Sequence, residues 1–219
     1  MNDKQRFQLA ALESLAGGSD ARLVAAAAHA LAPSVDPRTV VLVEGISDQV
    51  ALQALAERRG RDLAAEGVAV VPMGGAGNIR RFLELFGPRG LDVRLAGLCD
   101  AREEGDFRRG LERAGFGSNL RRVDMEALGF YVCVADLEAE LIRCLGAARV
   151  EQVVEAQGEL GSFRTFQQQP AWQGRSSQDQ LRRFIGTHRG RKIRYARLLV
   201  DALELTSMPR PLDRVLAYI

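Results

Sequence analysis

Four acids in this sequence stand where carboxylates can meet a phosphate: Glu44, Asp48, Asp100 and Glu138. Glu44 follows the apolar, β-branched run Thr39–Val43, and Asp48 opens an amphipathic helical stretch. Asp100 ends the apolar run "VRLAGLC", and Glu138 lies beside Leu141, Ile142 and Leu145 on the apolar stripe of "LEAELIRCL". Clustered carboxylates repel, so a crevice holding several either raises their pKa values or takes up a hard cation. An oxygen-only donor set suits Mg²⁺ or Mn²⁺. A helix N-terminus favours the carboxylates, and a metal held by them can meet a phosphate.

Each acid also has a plainer role. Asp48 equally suits a first-turn residue favoured by the helix dipole. Asp100 suits an N-cap for the following helix, and Asp136 is expected to cap "LEAELIRCL". Glu140 falls away from that helix's apolar stripe and is expected in solvent. Glu138 differs, because an acid on an apolar face needs a partner.

Other donors are scarce. The two histidines, His29 and His188, nearly exclude a histidine-built metal site, and a Ser-His-Asp triad would need His188. Cys99, Cys133 and Cys144 form no CxxC pair and read as buried free thiols. Of 30 basic residues only Lys4 and Lys192 are lysines, so Lys192, deep in the chain, stands out.

The elements that must gather these groups follow an alternation. Strands are expected over Thr39–Val43, Val68–Pro72, Val93–Cys99 and Phe130–Val134. Helices are expected over Asp48–Arg59, Ile79–Phe86, Glu103–Ala114 and Leu137–Leu145. This pattern predicts an α/β fold with a mainly parallel four-stranded sheet flanked by helices. The carboxyl ends of parallel strands share one edge, where ligands bind, so Glu44, Asp100 and Glu138 are expected to converge there. Residues 37–148 form the expected catalytic domain, 1–36 a helical N-terminal extension and 149–219 a basic helical C-terminal region. That region reads as helices over Val150–Gln157, Asp179–Ile185, Lys192–Leu205 and Leu212–Tyr218.

Hydrophobic residues make up 47% of the 219 and charged ones 26%, which suits a soluble protein with one sizeable core. The chain shows no apolar run of membrane-spanning length and no signal-peptide core, so a cytoplasmic location without a membrane partner is expected.

The loop "MGGAGN" offers Gly74, Gly75, Gly77 and Asn78 as a candidate phosphate loop. It lacks the lysine and Ser/Thr of a Walker A sequence, and a tight turn needing positive φ explains it as well. No ATP site is found. Eight basic residues fall between Arg175 and Arg197, with Asp179 the only acid. Arg182, Arg183, Arg189, Arg191 and Arg194 are therefore candidates for gripping nucleic-acid phosphates. Phe163, Phe166 and Trp172 suit base stacking or, more simply, packing of the tail on the sheet.

"LVEGISD", "LAGLCD" and "DLEAEL", with the "GGAGN" loop, resemble the TOPRIM domain of the OLD (overcoming lysogenisation defect) nucleases. The resemblance covers about residues 39–145. It implies divalent-metal-dependent cleavage of DNA by an endonuclease or nickase. Glu44 would act as ligand or general base, Asp48 and Asp100 as ligands, and Lys192 on the scissile phosphate. Where the family reads Asp-x-Asp, this chain reads Asp100-Ala101-Arg102, leaving Glu103, Glu104 or Glu138 to complete the site. The family's ABC-type ATPase has no counterpart, since 36 residues cannot hold one, which implies a standalone form or a separate ATPase partner. Oligomeric state is left open, a homodimer included. The alternatives are a catalytically weak nucleic-acid-binding regulatory module and a nucleotidyl or phosphoryl transferase-hydrolase.

Overall fold

The structure is a computed structural model that describes residues 38–219. The helical extension expected over residues 1–36 lies outside the described residues. Strands β1 (Thr39–Val43), β2 (Val68–Pro72), β3 (Arg94–Asp100) and β4 (Phe130–Cys133) form one parallel sheet in the order β2-β1-β3-β4. Their near-continuous apolar sequences follow from that placement, since parallel strands are covered on both faces.

Between the strands run α1 (Ile46–Arg58), α2 (Ile79–Phe86), α3 (Glu104–Ala114) and the short α4 (Arg122–Ala127). After β4 come α5 (Leu137–Leu145), α6 (Ala147–Ala156), α7 (Leu160–Gln167), α8 (Ser177–Gly186), α9 (Arg189–Ala202) and α10 (Arg210–Tyr218). The period of two along the strands splits the core into two layers. Val40, Leu42, Val71 and Cys99 pack against α2, α3 and α4 through Phe82, Phe107 and Met125. Val41, Val43, Val70 and Leu98 pack against α1, α5 and the C-terminal helices through Leu52, Leu141, Phe163, Tyr195 and Leu216. Gly97 lets the strands pack: a Cβ there would lie 2.6 Å from the Phe130 ring.

The expected elements are present, with shifted ends. α1 begins at Ile46 rather than Asp48, because the Asp48 carboxylate accepts the Gly45 N–H at 2.9 Å inside the first turn. β3 extends to Asp100, which pairs with Cys133. β4 stops at Cys133, because the Val134 N–H donates to Glu140 Oε1 at 2.7 Å. That bond corrects the expectation for Glu140. Its side chain is buried and also pairs with Arg143. Helices α4 and α7 were not expected. In α7 the buried Phe163 and Phe166 sit three residues apart, at helical spacing.

The C-terminal helices are tied to the sheet by arginines on and after α1. Arg58 Nη1 donates to the carbonyls of Val200 at 2.5 Å and Leu203 at 2.6 Å, and Arg61 Nη1 to that of Leu216 at 2.6 Å. Helix α9 thus runs alongside α1 in the same direction, with Lys192 near the start of α1 and Val200 at its end. Among the described residues, no helix is long and apolar enough to cross a membrane.

Candidate functional site

From β1 the chain steps outward to β2, returns past β1 to β3, and steps outward again to β4. A crevice opens at the carboxyl edge where such an order reverses. A cleft of about 260 Å³ lies there, bordered by Glu44, Asp48, Asp100, Gly74, Gly75 and Lys192. Glu44 follows β1, Asp100 ends the neighbouring β3, Asp48 enters from the first turn of α1, and Lys192 from the first turn of α9. The structure therefore gathers residues spread over 148 positions of chain.

Glu138 does not border this cleft. It borders an adjoining groove of about 660 Å³, together with Asp136, Arg182 and Lys192. Lys192 stands between the two cavities, with its Nζ 3.2 Å from Glu138 Oε2. This is the partner that an acid on an apolar face required. Glu138 Oε1 is buried and accepts no hydrogen bond among the described residues, an arrangement that costs free energy unless something positive approaches.

Electrostatics follow from burial and crowding. Burial raises the pKa of Glu44, and the charges of Asp48 and Glu103 raise it further, against Lys192. Burial also raises that of Asp48, while the Gly45 N–H and Lys192 pull it down. Asp100 is pushed up to about 8 by burial and by the charges of Glu44 and Asp48. Glu138 is pushed up to about 7, its burial outweighing the pull of Lys192. Burial pulls the Lys192 ammonium down, but Glu138 and Asp48 hold it above the ordinary lysine range. Cys99 and Cys133 are buried free thiols raised by burial and by Asp100, and Cys144 is half-buried.

Among the described residues, no three His, Cys, Asp or Glu side chains are already arranged as a metal site. The chemistry of the donors nevertheless fits a hard divalent cation. The groups at the cleft are carboxylates, Glu44 and Asp100 are raised by burial and then by neighbouring acids, and one lysine is too little positive charge to offset them. Of the candidates for the missing second aspartate, Glu104 pairs with Arg122, whereas the charge of Glu103 acts on Glu44. Sequence reading named Glu103 but could not choose it over Glu104, because the choice depends on Arg122, 18 residues on.

The glycine loop has a local role. Gly74 and Gly75 have φ of 71° and 129°, in the left-handed region that favours glycine. Their N–H groups donate to the Glu44 carbonyl at 3.1 and 3.2 Å, and Asn78 Nδ2 donates to the Met73 carbonyl at 3.0 Å. The two glycine N–H groups thus hold the backbone of Glu44, and both glycines border the cleft. Gly77 does not border the cleft.

Part of the positive charge of the basic tail is offset by acids from other elements. Arg182 pairs with Asp136, whose other oxygen accepts the Ala139 N–H at 2.8 Å as the N-cap of α5. Arg191 and Arg194 converge on Glu159 at 3.3 and 2.9 Å, and Arg197 pairs with Glu57 at 2.7 Å. Among the described residues Arg183 has no such partner and faces the groove. The side chain of Arg189 lies outside the described residues. Trp172, expected either to stack on bases or to pack the tail, and Arg175, the first of the eight basic residues, also border the groove, as does Arg102, which had no such expectation. No local sequence signal joins Arg102 to residues about 70 positions away.

Comparison with known proteins agrees with this fold. The family model described as "Overcoming lysogenization defect protein-like, TOPRIM domain" matches residues 38–101. Among solved structures, the C-terminal region of the Burkholderia pseudomallei OLD protein is 21% identical, with a TM-score of 0.63 over 83% of this chain and 96% of that one. The C-terminal region of the Xanthomonas campestris pv. campestris OLD protein, phased with platinum, is 24% identical, with a TM-score of 0.66 over 84% of this chain and 92% of that one. These likenesses show a shared fold. No curated protein matches.

Proposed function

Since the chain carries an OLD-like TOPRIM domain over residues 38–101, we propose that it hydrolyses phosphodiester bonds in DNA with the help of Mg²⁺ or Mn²⁺. The observation that carries this reading is one cleft bordered by Glu44, Asp48, Asp100 and Lys192. Residues 37–148 supply the chemistry in this reading, and 149–219 supply Lys192 and the grip on substrate.

Glu44, Asp48 and Asp100 would hold the cation, with Glu103 or Glu138 within reach of an extended site. When bound, such an ion offsets charge on the phosphoryl oxygens and acidifies water. Glu44 is placed to accept the proton lost by the attacking water, since burial raises its carboxyl toward a useful basicity. Lys192 keeps its proton and presents Nζ as a point charge where negative charge builds on the phosphoryl group. Asp48 spends one oxygen on the Gly45 N–H, which fixes its orientation.

A second reading is a nucleic-acid-binding module with weak turnover. It is favoured by Arg102, a cation where the resemblance leads one to expect an acid. Plasmid nicking separates the two. Hydrolysis requires nicking in Mg²⁺ or Mn²⁺ that falls by at least about 100-fold in Glu44→Ala and Asp100→Ala. Equal nicking by both variants contradicts the mechanism, and DNA retention without nicking in any divalent ion selects the binding module.

A further inference from the structure

The groove beside the cleft has a composition that the catalytic reading leaves unused. It is lined by three arginines, Arg102, Arg175 and Arg183, that are exposed and have no acid partner among the described residues. Their neighbours Arg182, Arg191 and Arg194 are consumed by Asp136 and Glu159. Of the other two acids that border the groove, Glu138 holds Lys192, and Asp179 receives the Ser176 hydroxyl at 2.7 Å and serves the start of α8. The unpaired charge that lines the groove is therefore contributed by two distant segments of chain.

An aromatic platform borders the same groove. The Trp172 ring stacks on Phe166 with centroids 5.2 Å apart and planes at 28°, and it remains partly exposed to the groove. Phe166 in turn packs on Phe184, so the indole is held from behind. A rigid indole with guanidinium groups around it matches the recognition of unpaired bases and their phosphates, because any base has a face to stack. A base inside a duplex has no free face to offer.

Size points the same way. At about 660 Å³ the groove lies within the ~300–1,000 Å³ span of small-ligand pockets. That is room for a nucleotide or two, not for a double helix. Lys192 borders both groove and cleft, so a strand seated in the groove leads directly to the acids.

We propose that this groove binds a single-stranded DNA segment, with a base stacked on Trp172 and its phosphates held by Arg102, Arg175 and Arg183, next to the bond presented to the cleft. The proposal deepens the hydrolytic reading and rests on it for the position of the bond.

Trp172 is the only tryptophan in the chain, so its fluorescence reports the groove directly. The experiment titrates the full chain in EDTA with a short oligothymidylate and, separately, with a blunt duplex of the same length. The single strand is expected to quench the emission and the duplex to leave it unchanged. Trp172→Ala, followed by anisotropy of a labelled oligothymidylate, is expected to weaken binding by about 5- to 100-fold. Combined Arg102→Ala, Arg175→Ala and Arg183→Ala is expected to reduce the slope of log K against log salt by about 2. Both variants are to melt as the wild type does. Quenching by both probes alike, or unaltered affinity and salt slope in either folded variant, overturns the proposal. Turnover is absent in EDTA, so a failure here is distinct from a failure of nicking.

Discussion

Lys192 Nζ lies 3.2 Å from Glu138 Oε2 and stands between two cavities, one bordered by Glu44, Asp48 and Asp100 and the other by unpaired arginines. The lysine compensates a buried carboxylate, and in the proposed hydrolytic reading it also gives the cleft a cation for phosphate.

Lys192→Met should separate these purposes. It leaves Glu138 buried without compensation, and should lower stability by about 1–3 kcal/mol. Adding Glu138→Gln should restore most of that loss in urea unfolding. Nicking, in contrast, should stay depressed by at least about 100-fold in both variants. Recovery of activity along with stability would mean that the lysine acts only on Glu138.

Asp100 gives a pH signature. Its folded pKa of about 8 lies above the ~3.9 of an unfolded aspartate. The folded protein therefore binds the extra proton, and the contribution of Asp100 is fully present below about pH 4 and lost as pH rises through about 8. Discounted for its partial exposure, the effect is about 1–2 kcal/mol. In EDTA the melting temperature of the wild type should fall between pH 5 and pH 8 more than that of Asp100→Asn. Mg²⁺ at pH 8 should raise the wild type and leave the variant nearly unchanged. Parallel pH profiles for the two proteins would contradict this.

The tail should prove structural where its arginines are paired. The fully buried Tyr195 donates its hydroxyl to Glu159 Oε2 at 2.7 Å, and Arg194 and Arg191 share that carboxylate. Burial pushes the Glu159 carboxyl up, but these donors bring it below the ordinary range. Its contribution is present above the unfolded pKa near ~4.3 and is lost as pH falls through the lower folded value. Tyr195→Phe should cost about 1–2 kcal/mol at pH 7, and less below pH 4, as read by urea unfolding. An equal cost at both pH values would show that the hydroxyl does not act through the Glu159 charge.

Much of this was legible in the sequence, for identifiable reasons. Strands buried on both faces must be continuously apolar, so Thr39–Val43 and Val68–Pro72 announce themselves. Glu44 and Asp100 then become informative because each ends such a run. Arginine pairing was not legible. Arg182 meets Asp136 across 46 positions, Arg191 meets Glu159 across 32, and Arg197 meets Glu57 across 140. A local count of charge cannot see acids supplied by other elements. Glu140 misleads for a related reason: its helix face looks solvent-bound until the bend after β4 brings the Val134 N–H to it. The pairing of Lys192 with Glu138, 54 positions apart, follows from the packing of α9 and was likewise not legible.

The account stands on Glu44, Asp48 and Asp100 sharing one cation. Anomalous scattering from crystals soaked in Mn²⁺ tests this most directly. The account predicts a manganese peak in the cleft bounded by those three side chains, absent from Glu44→Ala crystals. A cleft without manganese, at ion concentrations that support nicking, would contradict it.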